Sequence, residues 1–179
     1  KNFLPAFADI PNAWLELRTK STQIRSLLNR EAFDRCIVAF SLSPDEIASK
    51  VEDKAPSLER RLDALCKLQD QGWPIGLRFD PLIFQTGYQQ QYQTFFEQVF
   101  SKINQQTLHS VSLGVFRLPE KYFKKIHKLY PEEKLFASPL ETKQKMTSYK
   151  AEIEQEMLSY CTEQLLNYIP ESKFFPCTL

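Results

Sequence analysis

The chain of 179 residues has only four glycines, Gly72, Gly76, Gly87 and Gly114. That is about 2%, against an average near 7%. A glycine-rich phosphate cradle needs several at close spacing, so neither a dinucleotide fingerprint nor a P-loop can be assembled. The cysteines Cys36, Cys66, Cys161 and Cys177 are scattered. No two stand at CxxC or CxxxC spacing, which excludes a zinc or iron–sulfur site built from local sequence. With no signal sequence in view, they read as reduced thiols of a cytoplasmic protein. No apolar run approaches the ~20 residues of a membrane helix. Net charge is lacking too, with 23 Lys and Arg against 22 Asp and Glu. Binding of nucleic acid by bulk positive charge is thereby excluded, while a local basic patch stays open. The first residue is Lys1 rather than Met, which suggests a piece of a longer product or a processed chain.

What is present fits one domain with a sizeable core, since 42% of residues are hydrophobic. Residues 1–12 read as a linker or the end of a missing N-terminal part, and 13–179 as one α/β unit. Trp14 to Lys20 alternates like a strand, and Ser21 is placed to cap a helix through Ile24, Leu27 and Leu28. Cys36 to Leu42 reads as a strand buried on both faces, followed by a helix opening at Ser43-Pro44-Asp45-Glu46. Ser57 caps a helix with Leu58, Leu62, Leu65 and Leu68 on one face, stopped by Gly72. Pro74 to Phe79 is a third strand, 88–103 an amphipathic helix whose aromatic stripe is core, and Ser110 to Arg117 a fourth strand. A helix from Pro119 should turn Tyr122, Phe123, Ile126 and Tyr130 inward. Residues 131–149 read as an irregular segment or hairpin, 150–168 as a helix, and Phe174-Phe175 as a last strand. Strands alternating with helices at such spacings imply parallel strands with crossover helices.

Ligands of parallel α/β proteins bind at the C-terminal strand ends. Glu16, Arg18 and Lys20 share one face of the first strand, with Lys20 at its tip as a candidate anion ligand. Ser41 ends the second strand just before a helix start, where a hydroxyl suits a carboxylate or phosphate. Arg78 with Asp80, and Arg117 beyond the small residues Ser112 and Gly114, end the next two strands. Arg78 and Asp80 read as a structural ion pair with each other. His109 and His127 read as ordinary surface or boundary histidines. The lysines Lys121, Lys124, Lys125, Lys128 and Lys134, continued by Lys143, Lys145 and Lys150 beside Tyr149, suit either a solvated face or a nucleic-acid backbone.

Five segments in order resemble the spore photoproduct lyase family. Trp14-Leu15-Glu16-Leu17-Arg18-Thr19-Lys20-Ser21 resembles its WLE-(I/L)-RTKS, and Phe40-Ser41-Leu42-Ser43-Pro44 its W-S-L-N-P. Ala55-Pro56-Ser57-Leu58-Glu59-Arg60-Arg61 resembles T-P-S-L-E-E-R, Gly72-Trp73-Pro74-Ile75-Gly76 with Asp80-Pro81 resembles G-Y-P-V-G and D-P, and Ser112-Leu113-Gly114 with Arg117 resembles S-L-G-x-x-R. The resemblance implies the C-terminal half of a radical S-adenosylmethionine enzyme with a partial (β/α) TIM-type barrel. In that family a [4Fe-4S] cluster cleaves S-adenosylmethionine to a 5′-deoxyadenosyl radical that reverts a UV-induced thymine photoproduct in DNA. By motif, the resemblance implies that Lys20 and Ser41 hold the amino-acid end of the cofactor; it gives Asp80, Ser112 and Arg117 no defined role, and Arg117, Tyr149 and Lys150 are candidates for the substrate side by position. The cluster motif CxxxCxxC and the hydrogen-returning cysteine are absent, so no catalytic residue and no metal ligand is assigned here, and this chain alone is expected to be inactive. Thr147 and Ser148 stand where the family's DNA-contacting hairpin carries an Arg–aromatic pair. Expected partners are UV-damaged DNA, the rest of the same protein, and a second copy covering the open barrel edge, with no membrane. The alternative is a cluster-less α/β domain that binds a nucleotide or another acidic ligand.

Overall fold

The computed structural model of the protein describes residues 3–52 and 54–177. In chain order the elements are α1 (Phe3–Ala8), β1 (Leu15–Thr19), α2 (Arg25–Leu28), β2 (Cys36–Ser41), α3 (Asp45–Val51), α4 (Leu58–Asp70), β3 (Ile75–Leu82) and α5 (Tyr88–Lys102). Then follow β4 (Leu108–Val115), β5 (Arg117–Pro119), α6 (Glu120–Leu129), β6 (Leu140–Lys143), β7 (Met146–Tyr149), α7 (Ala151–Leu166) and β8 (Phe174–Pro176). Five strands form a parallel sheet in the order β1-β2-β3-β4-β8, and β5-β7-β6 form a small antiparallel sheet.

Two parities of side chain divide the parallel sheet. Val38, Phe40, Leu77, Phe79, Val111 and Leu113 join the apolar stripes of the helices in one core. Leu58, Leu62, Leu65 and Leu68 come from α4, Tyr92, Phe95, Phe96 and Val99 from α5, and Met157, Cys161 and Leu165 from α7. The Phe79 ring meets those of Phe95 and Phe96 at 5.5 and 5.1 Å. Each such side chain contributes roughly 1.5–3 kcal/mol by leaving water. The other parity stays outside this core and carries Glu16 and Arg18, Ala39 and Ser41, Gly76, Arg78 and Asp80, and Ser110, Ser112 and Gly114. This alternation puts the polar residues on one face.

Local chemistry sets the element ends. Ser57 accepts a hydrogen bond from the Arg60 N–H at 3.4 Å, and Asp45 Oδ1 from the Leu58 N–H at 2.8 Å. Gly72 stops α4 at φ +91°, a conformation that favours glycine. Gln144 and Lys145, both at positive φ, make the two-residue turn between β6 and β7.

Several expectations need correction. Ser21 does not cap a helix. Its hydroxyl accepts from the Gln23 N–H at 3.1 Å, and α2 begins only at Arg25. The fourth strand does not run through Arg117. It stops at Val115, and Arg117 opens β5 in the second sheet, bonded to β7. The helix after Pro119 buries none of its residues, with Tyr122 53% and Tyr130 63% exposed. The expected hairpin within 131–149 is present as β6–β7, preceded by a 3-10 turn at Lys134–Ala137, and the N-terminal stretch carries the short helix α1 (Phe3–Ala8). The last strand exists, parallel to β4.

Candidate anion-binding site

Three ion-pair groups line the polar face of the parallel sheet. The first joins β1 to β3. Arg78 Nη2 donates to Glu16 Oε2 at 2.7 Å and Nε to Oε1 at 3.2 Å. The same guanidinium donates to the Ser110 hydroxyl at 3.1 Å and the Ser110 carbonyl at 3.3 Å. It lies over the Phe175 ring at 5.1 Å, a cation–π contact. Gly76 makes this possible, because a Cβ there would stand 2.8 Å from Arg78 Nη2. The Arg78 hydrogen bond, set against burial, holds the Glu16 carboxyl below its ordinary range.

The second group gathers at the β3 tip. Asp80 accepts from Arg117 Nη1 and Nη2 at 3.3 and 3.2 Å, and Arg18 Nη2 lies 3.6 Å from it. Arg117 reaches this face because the chain bends after Val115, whose carbonyl it also caps at 3.0 Å. The path crosses Gly114, where a Cβ would meet Arg117 Nη1 at 2.8 Å and Cys177 Cβ at 3.1 Å.

The third group lies at the tips of β1 and β2. Glu52 is hydrogen-bonded by Lys20 Nζ, by the Ser43 hydroxyl at 2.9 Å and by Arg61 Nη2 at 2.9 Å. Arg61 is fully buried. Its remaining donors go to the Ser41 carbonyl at 3.0 Å and the Pro56 carbonyl at 2.8 Å. Burial pushes the Glu52 carboxyl up, but hydrogen bonding and charge from Lys20, with the Arg61 charge and Ser43, bring it below the ordinary range. Arg61, with all three of its nitrogens engaged, neutralises Glu52 by itself. Lys20, with 39% of its side chain exposed, is therefore the surplus cation. Five cations, Arg18, Lys20, Arg61, Arg78 and Arg117, face three carboxylates, Glu16, Glu52 and Asp80. Such a surplus attracts anions.

The structure thus places Lys20 and Ser41 at neighbouring strand tips, with Lys20 linked through Glu52 and Arg61 to the Ser41 backbone carbonyl. Arg78 and Asp80 are not partners of each other, since each is paired across the sheet instead. Tyr149 is 1% exposed, and its hydroxyl accepts the Phe84 N–H at 2.8 Å, so the hydroxyl is committed to the backbone. Thr147 and Ser148 are buried as well, the latter donating to the Phe116 carbonyl at 2.9 Å. Lys150 is exposed at the start of α7. His109 packs against Trp14 with ring centroids 5.6 Å apart and feels the charges of the Glu16–Arg78 pair, while His127 stacks on Phe123 at 5.8 Å.

Glu52 and Arg61 went unnoticed in the sequence. Arg61 had a signal, because it falls on the apolar stripe Leu58, Leu62, Leu65, Leu68 of α4 and so must be buried with a partner. Glu52 had none, lying past the end of α3. The Ser112 hydroxyl is buried on this face without a hydrogen-bond partner.

The same groups decide which cofactors fit. An amino-acid carboxylate suits the Lys20 cluster. An iron–sulfur cluster does not suit the described residues, none of which form a group of three or more metal-ligating side chains. Burial pushes the Cys36 and Cys161 thiols up to about 11 and about 12, the opposite of what a thiolate ligand needs.

Fold and site together define a parallel α/β protein with a cationic site at its strand tips. The sequence pattern of the spore photoproduct lyase family matches residues 1–176, and the chain belongs to that family. A relative described as spore photoproduct lyase from Bacillus subtilis (strain 168) is 26% identical over 126 residues, which are 68% of this chain and 36% of that protein. A solved spore photoproduct lyase double mutant, with bound AdoMet and dinucleoside spore photoproduct, superposes with a TM-score of 0.79 at 18% identity, over 91% of this chain and 50% of that one. A solved lyase complexed with dinucleoside spore photoproduct gives 0.77 at 17% identity over the same shares. The chain thus spans half or less of the length of these relatives.

Proposed function

We propose that this chain is the cofactor- and substrate-facing C-terminal part of a radical S-adenosylmethionine DNA repair lyase that reverts a UV-induced thymine photoproduct. The observation that carries the reading is the surplus Lys20 ammonium among Ser41, Ser43, Glu52 and Arg61. In this reading Lys20 and the Ser41 hydroxyl receive the methionyl carboxylate of AdoMet, and Glu52 fixes the direction of Lys20. A charge-assisted hydrogen bond of this kind is worth about 1.5–3 kcal/mol. AdoMet beside a [4Fe-4S] cluster supplies radical hydrogen-atom abstraction. The cysteines of this chain do not fit the cluster, and the chain by itself does not run the reaction.

Arg117, steered by Asp80, and the exposed Lys150 are the cations we place toward damaged DNA. Among the described residues β1 pairs only with β2, so its outer edge is open. An open edge favours association, which supports docking of the rest of the same protein or of a second copy. Free thiols at all four cysteines support a reducing, cytoplasmic setting. No helix among the described residues is long and apolar enough to cross a membrane.

The same surplus cation supports a second reading, a cluster-less domain for a nucleotide or other acidic ligand. Calorimetric titration of the chain with AdoMet and, separately, with ATP distinguishes the two. Binding of AdoMet without ATP is expected; preference for ATP would establish the second reading instead.

A further inference from the structure

The lysines of α6 form a stripe that the strand-tip site does not use. Lys121, Lys124, Lys125 and Lys128 stand at i, i+3, i+4 and i+7 and share one face of the helix. All four are exposed; Lys124 pairs with Glu120, whose carboxylate also feels the Lys121 charge. Four like charges at these spacings oppose the helix, by ~0.2–0.5 kcal/mol per pair. A merely solvated face commonly mixes signs to avoid this cost. The neutrality of the whole chain hides the asymmetry, since residues 120–150 hold eight lysines against four glutamates.

The stripe adjoins the second sheet. The Glu120 N–H donates to the Lys145 carbonyl at 2.8 Å, which fixes the Lys145 turn of the β6–β7 hairpin at the start of α6. Arg117, at the other end of β5, reaches Asp80 at the strand tips. The hairpin turn therefore adjoins the start of the helix stripe, and the short strand β5 connects both to Arg117. From Lys121 to Lys128 the stripe runs ~10 Å along the axis. That matches about three phosphate steps of a nucleic-acid strand at ~3.4 Å each. The geometry points to α6 as a docking surface for the phosphodiester backbone of double-stranded DNA, outside the site that receives the reacting group. A membrane fits less well, because Phe123 packs edge-on against Phe136 at 5.4 Å and the apolar side of the helix is partly occupied.

This inference rests on the DNA-directed reading above but has its own test. Fluorescence anisotropy with a labelled undamaged duplex is read over a salt series, for the chain and for a Lys121→Gln/Lys125→Gln/Lys128→Gln variant. These side chains are exposed, so folding is retained, and circular dichroism checks it. The variant should bind at least tenfold more weakly, with a salt slope shallower by about 2–3. A Lys50→Gln/Lys67→Gln control should stay within twofold of the parent. Unchanged affinity and slope in the triple variant, no duplex binding by the parent, or stronger binding to phosphatidylserine vesicles than to duplex would overturn the inference. Dinucleoside photoproduct binding, measured in parallel, reports on the strand-tip site alone. If it persists while the triple variant leaves duplex binding unchanged, only the α6 inference falls.

Discussion

Glu16 on β1 and Arg78 on β3 clasp each other at 2.7 Å although β2 lies between their strands. The guanidinium reaches across because Gly76 beneath it has no side chain. Gly76→Ala should therefore force Arg78 off both Glu16 and Ser110. Overpacking of this kind costs ~1–3 kcal/mol, read as a lower midpoint in urea unfolding. Glu16→Gln should cost less, since the Glu16 side chain is 38% exposed and water can replace part of the pair. Equal stability of parent and Gly76→Ala would show that the clasp is not built on that gap.

The hydroxyl of Tyr149 accepts a buried backbone N–H. Tyr149→Phe should strand the Phe84 N–H and lower stability by about 1–3 kcal/mol, while leaving duplex binding unchanged. Calorimetric unfolding and anisotropy together check this. A variant of undiminished stability that binds duplex more weakly would return Tyr149 to the substrate side.

Stability should fall with acid through Glu52 and Glu16, whose carboxyls are both held below the ordinary value of 4.5. A depressed folded-state pKa gives stability that is complete above the unfolded value and lost as pH falls through the folded one. Urea midpoints should accordingly be flat near neutrality and drop below about pH 4.5. Glu52→Gln should start lower, because Arg61 then lies buried beside an uncharged group, and its acid limb should be shallower. An acid limb in Glu52→Gln as steep as the parent's would remove Glu52 from this role.

Much of this arrangement was legible in the sequence because alternation is a local signal. Glu16, Arg18 and Lys20 declare a polar strand face, and the tips carrying Lys20 and Ser41 meet as their positions in a parallel sheet require. Ion-pair partners were less legible, since Asp80 chooses Arg18 and Arg117 across strands rather than nearby Arg78. That choice depends on strand register and on the bend after Val115, which brings Arg117 to the opposite face. Amphipathicity misled at α6, where Tyr122 and Tyr130 hold helical spacing yet lie exposed. The hairpin lysines were visible, but burial of Tyr149 was not, because its partner Phe84 lies far away in the chain.

The central claim is that Lys20, which shares Glu52 with Arg61, supplies the surplus positive charge for a ligand carboxylate. A double cycle measures it directly: calorimetric titration of the parent and Lys20→Ala with AdoMet and with decarboxylated AdoMet. The parent should prefer AdoMet by roughly ten- to a hundredfold, the equivalent of one charge-assisted hydrogen bond, and Lys20→Ala should bind both alike. An undiminished preference for AdoMet in Lys20→Ala would contradict the account.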